Sequence, residues 1–415
     1  MKRRDFFVAA SSTVLGAALS RARAATPCPP PSVSIAGGGQ ASTSCTPGTA
    51  PAWYTAMQDA TWGTVAATAN VAAVAPSPSP GGDGQAGVMT AWCGGSVDTL
   101  RQELVLPAQG GHTDYFGNEV YTLALNTASP AWARVTNPRY AFGSDALQAM
   151  DDGSPRSNHG NSQLCYAANV DRTFIAPLNY TSPLGYSSEQ VYAFNRAGGA
   201  WELKAACPNN YGSGSGTDGG AVYDPIAQVL WLIGAQSDSS VDKYDPVANT
   251  HTLTNVSLWS GYSGTLAISP SRRLLVYISG SAVGQNGTFK WLDLTNITAG
   301  WRSPAAVTGN APTGYGPGLV WHDASGSFLG WNGTPATTTI KKLTPPATPA
   351  TGTWAWTDTA PASGNSVTPT ASQANGTFGR FNIVANLGGS GRDVIVLVNA
   401  VNQATYVFKL PAGGV

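Results

Sequence analysis

The chain has 415 residues, and only 11% of them are charged, compared with about 25% in an average soluble protein. Its 22 basic and 22 acidic residues balance, so it lacks the excess of positive charge that nucleic-acid binding requires. The low charge and the 49 glycines are typical of a β-rich protein with many turns and a neutral, polar surface.

Residues 1–24 have the pattern of a twin-arginine export signal, which is typical of exported bacterial proteins. Arg3 and Arg4 precede a short apolar stretch that ends at Leu19, and a small-x-small cleavage site ends at Ala24. The apolar stretch is shorter than a helix needs to span the hydrocarbon core of a bilayer, which disfavours a membrane anchor. Cleavage would remove five basic residues and one acidic residue from a chain of net charge zero, leaving −4. We therefore expect a periplasmic or secreted protein without a membrane contact after signal removal.

Residues 25–52 follow as a leader rich in Pro, Gly, Ser and Thr. Few large apolar groups are present, so this segment has little core of its own. Cys28 and Cys45 bracket it, and a disulfide between them is predicted because an oxidising compartment would permit it.

The other three cysteines give no metal motif. Cys93 and Cys165 fall on predicted inner strands of neighbouring blades, where buried free thiols and a cross-blade bridge are both compatible with the sequence. Cys207 lies in a predicted loop, and the odd total leaves at least one thiol unpaired. Because neither CxxC nor a Cys/His spacing occurs, we expect no metal site and no cofactor.

From about residue 53 a unit of four predicted strands recurs. It consists of two apolar strands, a strand with an aromatic residue and a strand that begins with Trp. Such a unit of about 50 residues predicts a β-propeller. The first two strands align at 164–175, 221–233, 266–277 and 319–329. The outer-strand position is occupied by Trp62, Trp132, Trp201, His251, Trp301 and Trp356, which predicts six four-stranded blades. A seventh blade within residues 68–108 is the alternative.

The last unit stops after its third strand, at residues 404–410. Its missing fourth strand is expected from residues 61–67, because joining the two ends of the chain in one sheet removes free edges. The predicted fold class is therefore all-β, with one propeller spanning residues 53–415.

This pattern resembles the kelch repeat and the galactose-oxidase-type propellers. The resemblance rests on Gly110 and Gly111 after a second strand, on the third strands that begin at Val120 and Val191, and on the Trp that follows each of them. It covers about residues 53–415 and implies the fold. It does not imply an activity, because this architecture hosts unrelated functions.

Loop position sorts the four histidines. In a four-stranded blade, the loop between strands two and three lies at the same end as the connection to the next blade. His112 and His159 fall in such segments of adjacent blades, and these two loops should meet. His322 falls in a turn at the opposite end, and His251 replaces an outer-strand Trp, so both are predicted to be structural.

The same rule yields the candidate site. The predicted catalytic residues are His112, His159, Tyr262, Tyr315 and Arg380. The predicted ligand-binding residues are Asp114, Tyr115, Asn118, Glu119, Arg156, Asn158 and Asp218. Arg380, close to the axis, is expected to need an anionic partner, either Asp218 or a ligand. The alternatives are rigid turns around the histidines and tyrosines that fill the axial channel.

These residue types favour a carbohydrate ligand. An arginine can neutralise a uronic acid while His or Tyr removes a proton, which is the chemistry of a polysaccharide lyase acting by β-elimination. The competing hypothesis is a non-catalytic propeller that binds carbohydrate or protein, with loop aromatics such as Tyr115 exposed to stack on sugar rings. A copper radical oxidase is disfavoured because too few copper ligands are in place. We expect a monomer that binds a carbohydrate or another small polar molecule.

Overall fold

The computed structural model describes a defined part of the chain. It covers residues 49–79, 81–111, 113–139, 150, 152–177, 181, 189–208, 219–233, 240–257, 264–279 and 288–415. The predicted export signal and the predicted Cys28–Cys45 disulfide lie outside these residues.

Short antiparallel strands dominate the described residues. They are β1 (Trp62–Val65), β2 (Ser96–Asp98), β3 (Glu103–Pro107), β4 (Val120–Ala124), β5 (Trp132–Arg134), β6 (Leu164–Ala167), β7 (Arg172–Ile175), β8 (Tyr192–Asn195), β9 (Ala200–Leu203), β10 (Gly220–Asp224), β11 (Val229–Ile233), β12 (Ser240–Asp245), β13 (Thr250–Ser257), β14 (Gly264–Ser269), β15 (Leu274–Ser279), β16 (Thr288–Asp293), β17 (Ala306–Thr308), β18 (Gly318–His322), β19 (Ser327–Trp331), β20 (Ile340–Thr344), β21 (Thr353–Thr359), β22 (Phe381–Val384), β23 (Val394–Leu397) and β24 (Thr405–Lys409).

Helical structure is minimal. Among the described residues, the α-helices are α1 (Ala52–Thr55) and α2 (Gly87–Thr90), and the 3-10 turns are Val71–Ala73, Gly84–Ala86, Ile297–Ala299, Phe378–Arg380 and Leu387–Gly389. Within the described part of the chain, no helix has the length and apolarity needed to cross a membrane.

The strands form six blades of a propeller, which confirms the predicted fold class. Blade 1 contains β2–β5, blade 2 β6–β9, blade 3 β10–β13, blade 4 β14–β16, blade 5 β17–β21, and blade 6 β22–β24 with β1. Each inner strand contacts the inner strands of both neighbouring blades, so six inner strands surround the axis: β2, β6, β10, β14, β18 and β22. Residues 68–108 contribute short helices together with β2 and β3 rather than a seventh blade.

The two ends of the chain close the ring in blade 6. Strand β1 pairs antiparallel with β24, with Trp62 opposite Phe408 and Val65 opposite Thr405. This is the pairing expected from the truncated last unit. The indole of Trp62 contacts the Phe408 ring edge-on at a centroid distance of 5.2 Å. Because the closing strand comes from the other end of the chain, opening the ring would expose this buried aromatic pair.

The middle strands carry most of the core. Every residue of β11 and of β15 is buried, and both strands read as nearly continuous apolar runs. A strand inside a blade packs against neighbouring blades on both faces, so strict alternation of polar and apolar residues is not required. The blades therefore stack through apolar clusters, one of which joins Leu275 and Tyr277 of blade 4 to Trp231 of blade 3.

Two blades depart from the expected four strands. In blade 4, the fourth strand is reduced to an antiparallel bridge between Trp291 and Arg302. Pro304 follows two residues later and has no N–H for a longer ladder. In blade 5, β17 adds a fifth strand, which pairs parallel with β21.

Ion pairs and hydrogen bonds join neighbouring blades at one end of the propeller. This end carries the turns between the first and second strands, and we call it the lower face. Asp224 of blade 3 accepts two hydrogen bonds of 2.7 Å from the Arg273 guanidinium of blade 4. His322 of blade 5 contacts Asp393 of blade 6 at 3.0 Å through Nε2. His322 is buried and serves a structural contact, consistent with its predicted role in a turn.

Candidate functional site

The opposite end, the upper face, contains the loops singled out in the sequence. The β3–β4 loop and the segment that leads into blade 2 are tied together by two main-chain hydrogen bonds of 3.0 Å, between Gly110 and Asn158 and between Asn158 and Ala108. Ser157 Oγ accepts a hydrogen bond of 2.7 Å from the Gly111 N–H. The two loops therefore meet, as expected from adjacent blades.

An Asp–His pair lies where these loops meet. His159 Nε2 is 3.2 Å from Asp114 Oδ2, and the side chains are 7% and 22% exposed. The Trp92 indole stacks on the imidazole, with ring centroids 4.8 Å apart and an interplanar angle of 28°. A carboxylate on one ring nitrogen and an aromatic face against the ring fix the orientation of His159, as proton transfer requires.

The backbone around this pair adopts unusual conformations. Trp92, Ala108 and Asn161 have φ values of 51°, 47° and 40°, which non-glycine residues rarely adopt. Gly110, with φ 133°, packs so closely that an added Cβ would lie 2.6 Å from the Tyr115 Cβ. Several strained residues around one cluster are typical of a functional site, because surrounding contacts must hold them in place.

Tyr115 corrects an expectation from the sequence. It was expected to be an exposed aromatic, but it is fully buried. Its hydroxyl donates to Glu119 Oε1, which also accepts a 2.5 Å hydrogen bond from the Tyr121 hydroxyl. Burial, with the nearby Glu119 and Tyr115, raises the pKa of Tyr121. Tyr115 and Glu119 therefore form a buried polar core beneath the loop, where neither can stack on or bind a surface ligand directly.

Three further predicted ligand-binding residues, Asn118, Arg156 and Asn158, are also buried. The Asn118 amide donates to Ser154 Oγ at 2.9 Å and to the Pro155 carbonyl at 2.8 Å. The Asn158 amide donates to the Ala108 carbonyl at 2.8 Å. These amides fix the two loops against each other.

Arg380 contradicts the expectation of an anionic partner. Its guanidinium is fully buried, and it donates to the Cys93 and Val398 carbonyls at 2.8 Å and also to the Gly376 carbonyl. Burial lowers the pKa of Arg380 to about 10, which leaves it charged at neutral pH. Three carbonyl dipoles thus take the place of a carboxylate, and Arg380 joins blade 6 to the segment that enters blade 1.

Of the four predicted site residues that remain, the structure describes one, Tyr315. Tyr315 is half-buried in the segment before β18, at the upper face. His112, Tyr262 and Asp218 lie outside the described residues. His251 lies in the outer strand of blade 3, and His322 lies at the lower face, so neither joins the Asp114–His159 pair.

An axial cavity of about 430 Å³ lies among the inner strands of all six blades. Its lining includes Tyr166, Tyr223 and Trp321 together with small residues at the strand starts. None of the described candidate residues lines it. The sequence predicts the site residues around the mouth of the channel at the upper face, so the lining of this cavity does not test that prediction.

A second cavity, of about 520 Å³, lies between the outer parts of blades 1 and 2 and was not anticipated from the sequence. Its polar lining includes Asn118, Arg139, Asp152 and Ser154, and Trp201 provides an aromatic surface. Arg139 Nε lies 3.1 Å from Asp152 Oδ2. Burial raises the pKa of Asp152, but hydrogen bonds from Ser154 and the charge of Arg139 outweigh it and hold the pKa below its usual value.

The described cysteines are all free and buried. Cys93 and Cys165 form no cross-blade bridge, so the first of the two alternatives holds. Burial raises the pKa of Cys93 to about 12 and raises that of Cys165 as well. Cys207 is also buried, and it approaches Asp242 and His251 of blade 3.

Comparison with known proteins adds no family to this description. No protein-family model matches the chain, and no curated protein matches it either. Membership of the kelch group therefore stays a prediction from the repeat pattern.

Proposed function

We propose that this protein is an exported propeller that binds carbohydrate, and that the ligand occupies the cavity between blades 1 and 2. The observation that carries the proposal is the lining of this cavity, in which an Arg139–Asp152 ion pair, Ser154 and Trp201 lie together. Its volume of about 520 Å³ is within the range of small-molecule sites.

The chemistry of this lining suits a sugar. Charged and hydroxyl groups can exchange hydrogen bonds with ring hydroxyls, and an indole can pack against the apolar face of a pyranose. An ionised Asp152 accepts hydrogen bonds, whereas Arg139 only donates them. Because the two charges neutralise each other, the cavity favours a polyhydroxylated ligand over a strongly ionic one.

The test is binding of the mature protein to a panel of neutral and uronic-acid polysaccharides by affinity electrophoresis and calorimetry. Asp152→Asn removes a charged acceptor and should weaken binding roughly 10-fold or more, as expected for loss of one charge-assisted hydrogen bond. Asp358→Asn is the matched control, because Asp358 forms a surface ion pair of 2.6 Å with Lys341 in blade 5. Equal affinities of the two variants, or no binding to any glycan, would contradict the proposal.

Cleavage of an acidic glycan by β-elimination is a second candidate function, favoured by the Asp114–His159 pair. In such a reaction His159 would accept the proton next to the uronic carboxyl while Asp114 stabilises the imidazolium. The electrons of that C–H bond would form the new double bond, the glycosidic C–O bond would break, and the leaving oxygen would take a proton from water. The buried Arg380 does not supply the expected neutralisation of the acid. Formation of unsaturated ends, lost in His159→Gln and retained in His322→Gln, would support this activity. No unsaturated product from any uronic-acid polymer would exclude it.

A further inference from the structure

Three chemically reactive side chains, two from one hairpin and one from a separate segment, converge between blades 2 and 3. The ligand atoms of Cys207, Asp242 and His251 all lie within 4.8 Å of one another. Cys207 follows the last strand of blade 2, whereas Asp242 lies in β12 and His251 in β13. Within that strand pair His251 is opposite Tyr244, so Asp242 is its diagonal neighbour on the same face of the sheet.

The hydrogen bonds of His251 fix its tautomer. Its Nε2 lies 2.9 Å from the Ala205 carbonyl, which can only accept, so this nitrogen carries a proton. In the neutral ring, Nδ1 then presents a lone pair, and this nitrogen contacts the Asp242 carboxylate. Two acceptors that face each other repel, so this close contact holds a proton, and a metal cation would replace that proton as the two atoms move apart.

Asp242 adds a second sign of an additional partner. Its side chain is fully buried, and its Oδ1 has no hydrogen-bond partner among the described residues. In the same part of the chain, no lysine or arginine forms an ion pair with it. A buried carboxylate oxygen without a partner is costly, and coordination of a cation would satisfy it.

The surroundings hold the three side chains in place. The Tyr244 ring packs on the His251 imidazole with centroids 4.6 Å apart, and its hydroxyl donates to Asn249 Oδ1 at 2.7 Å. The same oxygen accepts a hydrogen bond of 2.8 Å from the Ala205 N–H. The loop that carries Cys207 is thus tied to the β12–β13 hairpin. A carbonyl that orients the outer nitrogen of a histidine is the usual support of a metal ligand.

We propose that Cys207, Asp242 and His251 bind a divalent transition-metal ion, with Zn²⁺ as the expected occupant, and that this ion cross-links blades 2 and 3. Thiolate, imidazole and carboxylate are the three ligand types that zinc accepts in proteins. Zinc binds cysteine as the thiolate, so metal binding displaces the proton of the buried Cys207 thiol. The His251 Nδ1 lone pair and a carboxylate oxygen of Asp242 complete a three-residue ligand set.

The experiment uses the mature protein stripped with a chelator and then titrated with Zn²⁺ or Co²⁺ alone. We expect one Zn²⁺ per chain by elemental analysis, a rise in melting temperature on Zn²⁺ addition, and a thiolate-to-cobalt charge-transfer band with Co²⁺. Cys207→Ala should abolish the band and lower Zn²⁺ affinity at least 10-fold. The matched control is Cys93→Ala, which removes another buried thiol in blade 1 and should retain both signals.

Two results would overturn the proposal. One is a wild-type protein that gives no thiolate-to-cobalt band and no Zn²⁺-dependent rise in melting temperature, which does not depend on the folding of any variant. The other is Zn²⁺ binding of unchanged affinity in Cys207→Ala. Glycan binding is not involved in either measurement, so these outcomes are independent of the proposed carbohydrate site.

Discussion

Replacement of Arg380 separates a structural role from a catalytic one. Its guanidinium donates to the Cys93, Val398 and Gly376 carbonyls and is fully buried. Each hydrogen bond from a charged donor contributes about 1.5–3 kcal/mol. Because bonds of one group are not additive, we expect Arg380→Met to lower the free energy of unfolding by about 5 kcal/mol.

Arg380→Lys tests the geometry of the guanidinium. Lysine keeps the charge but has one nitrogen instead of a planar fork, so it cannot reach three divergent carbonyls. We expect a loss of about 2–3 kcal/mol, close to the value of one or two such hydrogen bonds. A ligand site that needs only positive charge at this position would tolerate the change, whereas the junction of blades 6 and 1 would not.

The assay is urea unfolding followed by tryptophan fluorescence, with Arg392→Ala as the control. Arg392 forms a 2.7 Å ion pair with Asp59, but the two side chains are 30% and 44% accessible to solvent. Such a surface pair contributes about 0–1 kcal/mol, so the control should unfold nearly as the wild type does. If the two Arg380 variants were also within 1 kcal/mol of the wild type while glycan binding was lost, our structural assignment would be wrong.

Two substitutions and one labelling experiment test buried residues. Burial raises the pKa of Asp224, but hydrogen bonds from Arg273 and other donors outweigh this effect and hold the pKa below its usual value. The ionised Asp224 therefore stabilises the fold above the unfolded pKa of about 4. This stabilisation is lost as the pH falls through the lower folded pKa. Asp224→Asn should therefore cost about 3 kcal/mol at pH 7 and progressively less as the pH falls below about 4, and urea titrations that give the same cost at neutral and acidic pH would refute this. Tyr121→Phe removes a hydroxyl that donates to the buried Glu119, so we expect a loss of about 2 kcal/mol in the same assay; a loss below 0.5 kcal/mol would contradict the hydrogen bond. Because burial raises the pKa of Cys93 to about 12, this thiol should resist alkylation at pH 8 in the folded protein and react in urea, as peptide mass mapping can show; rapid native labelling would argue against its burial.

The sequence by itself determined the architecture. Apolar strand pairs recur with an outer-strand Trp, and each such sheet must bury its faces against copies of itself, so a ring of blades follows from the pattern. The truncated last unit likewise indicated that β1 completes blade 6, because an unpaired edge would be left otherwise. The order of strands in each blade also predicted the end of the propeller at which each loop lies, and the loops that carry Asp114 and His159 do meet.

Only the tertiary structure decided which polar residues face the interior. Tyr115 lies in a loop rich in polar residues, and the neighbouring sequence does not show that its hydroxyl donates a hydrogen bond to Glu119 in the interior. Arg380 was expected to require an anion, but carbonyls from three separate segments satisfy it.

The cavity between blades 1 and 2 and the cluster of Cys207, Asp242 and His251 were invisible to the sequence for the same reason. Their members come from different blades or from different strands of one blade, and no short motif connects them. Repeat patterns specify how each blade forms, because that depends on local apolar periodicity. The side chains that meet across blades depend on the packing and rotation of whole sheets, which no local spacing records.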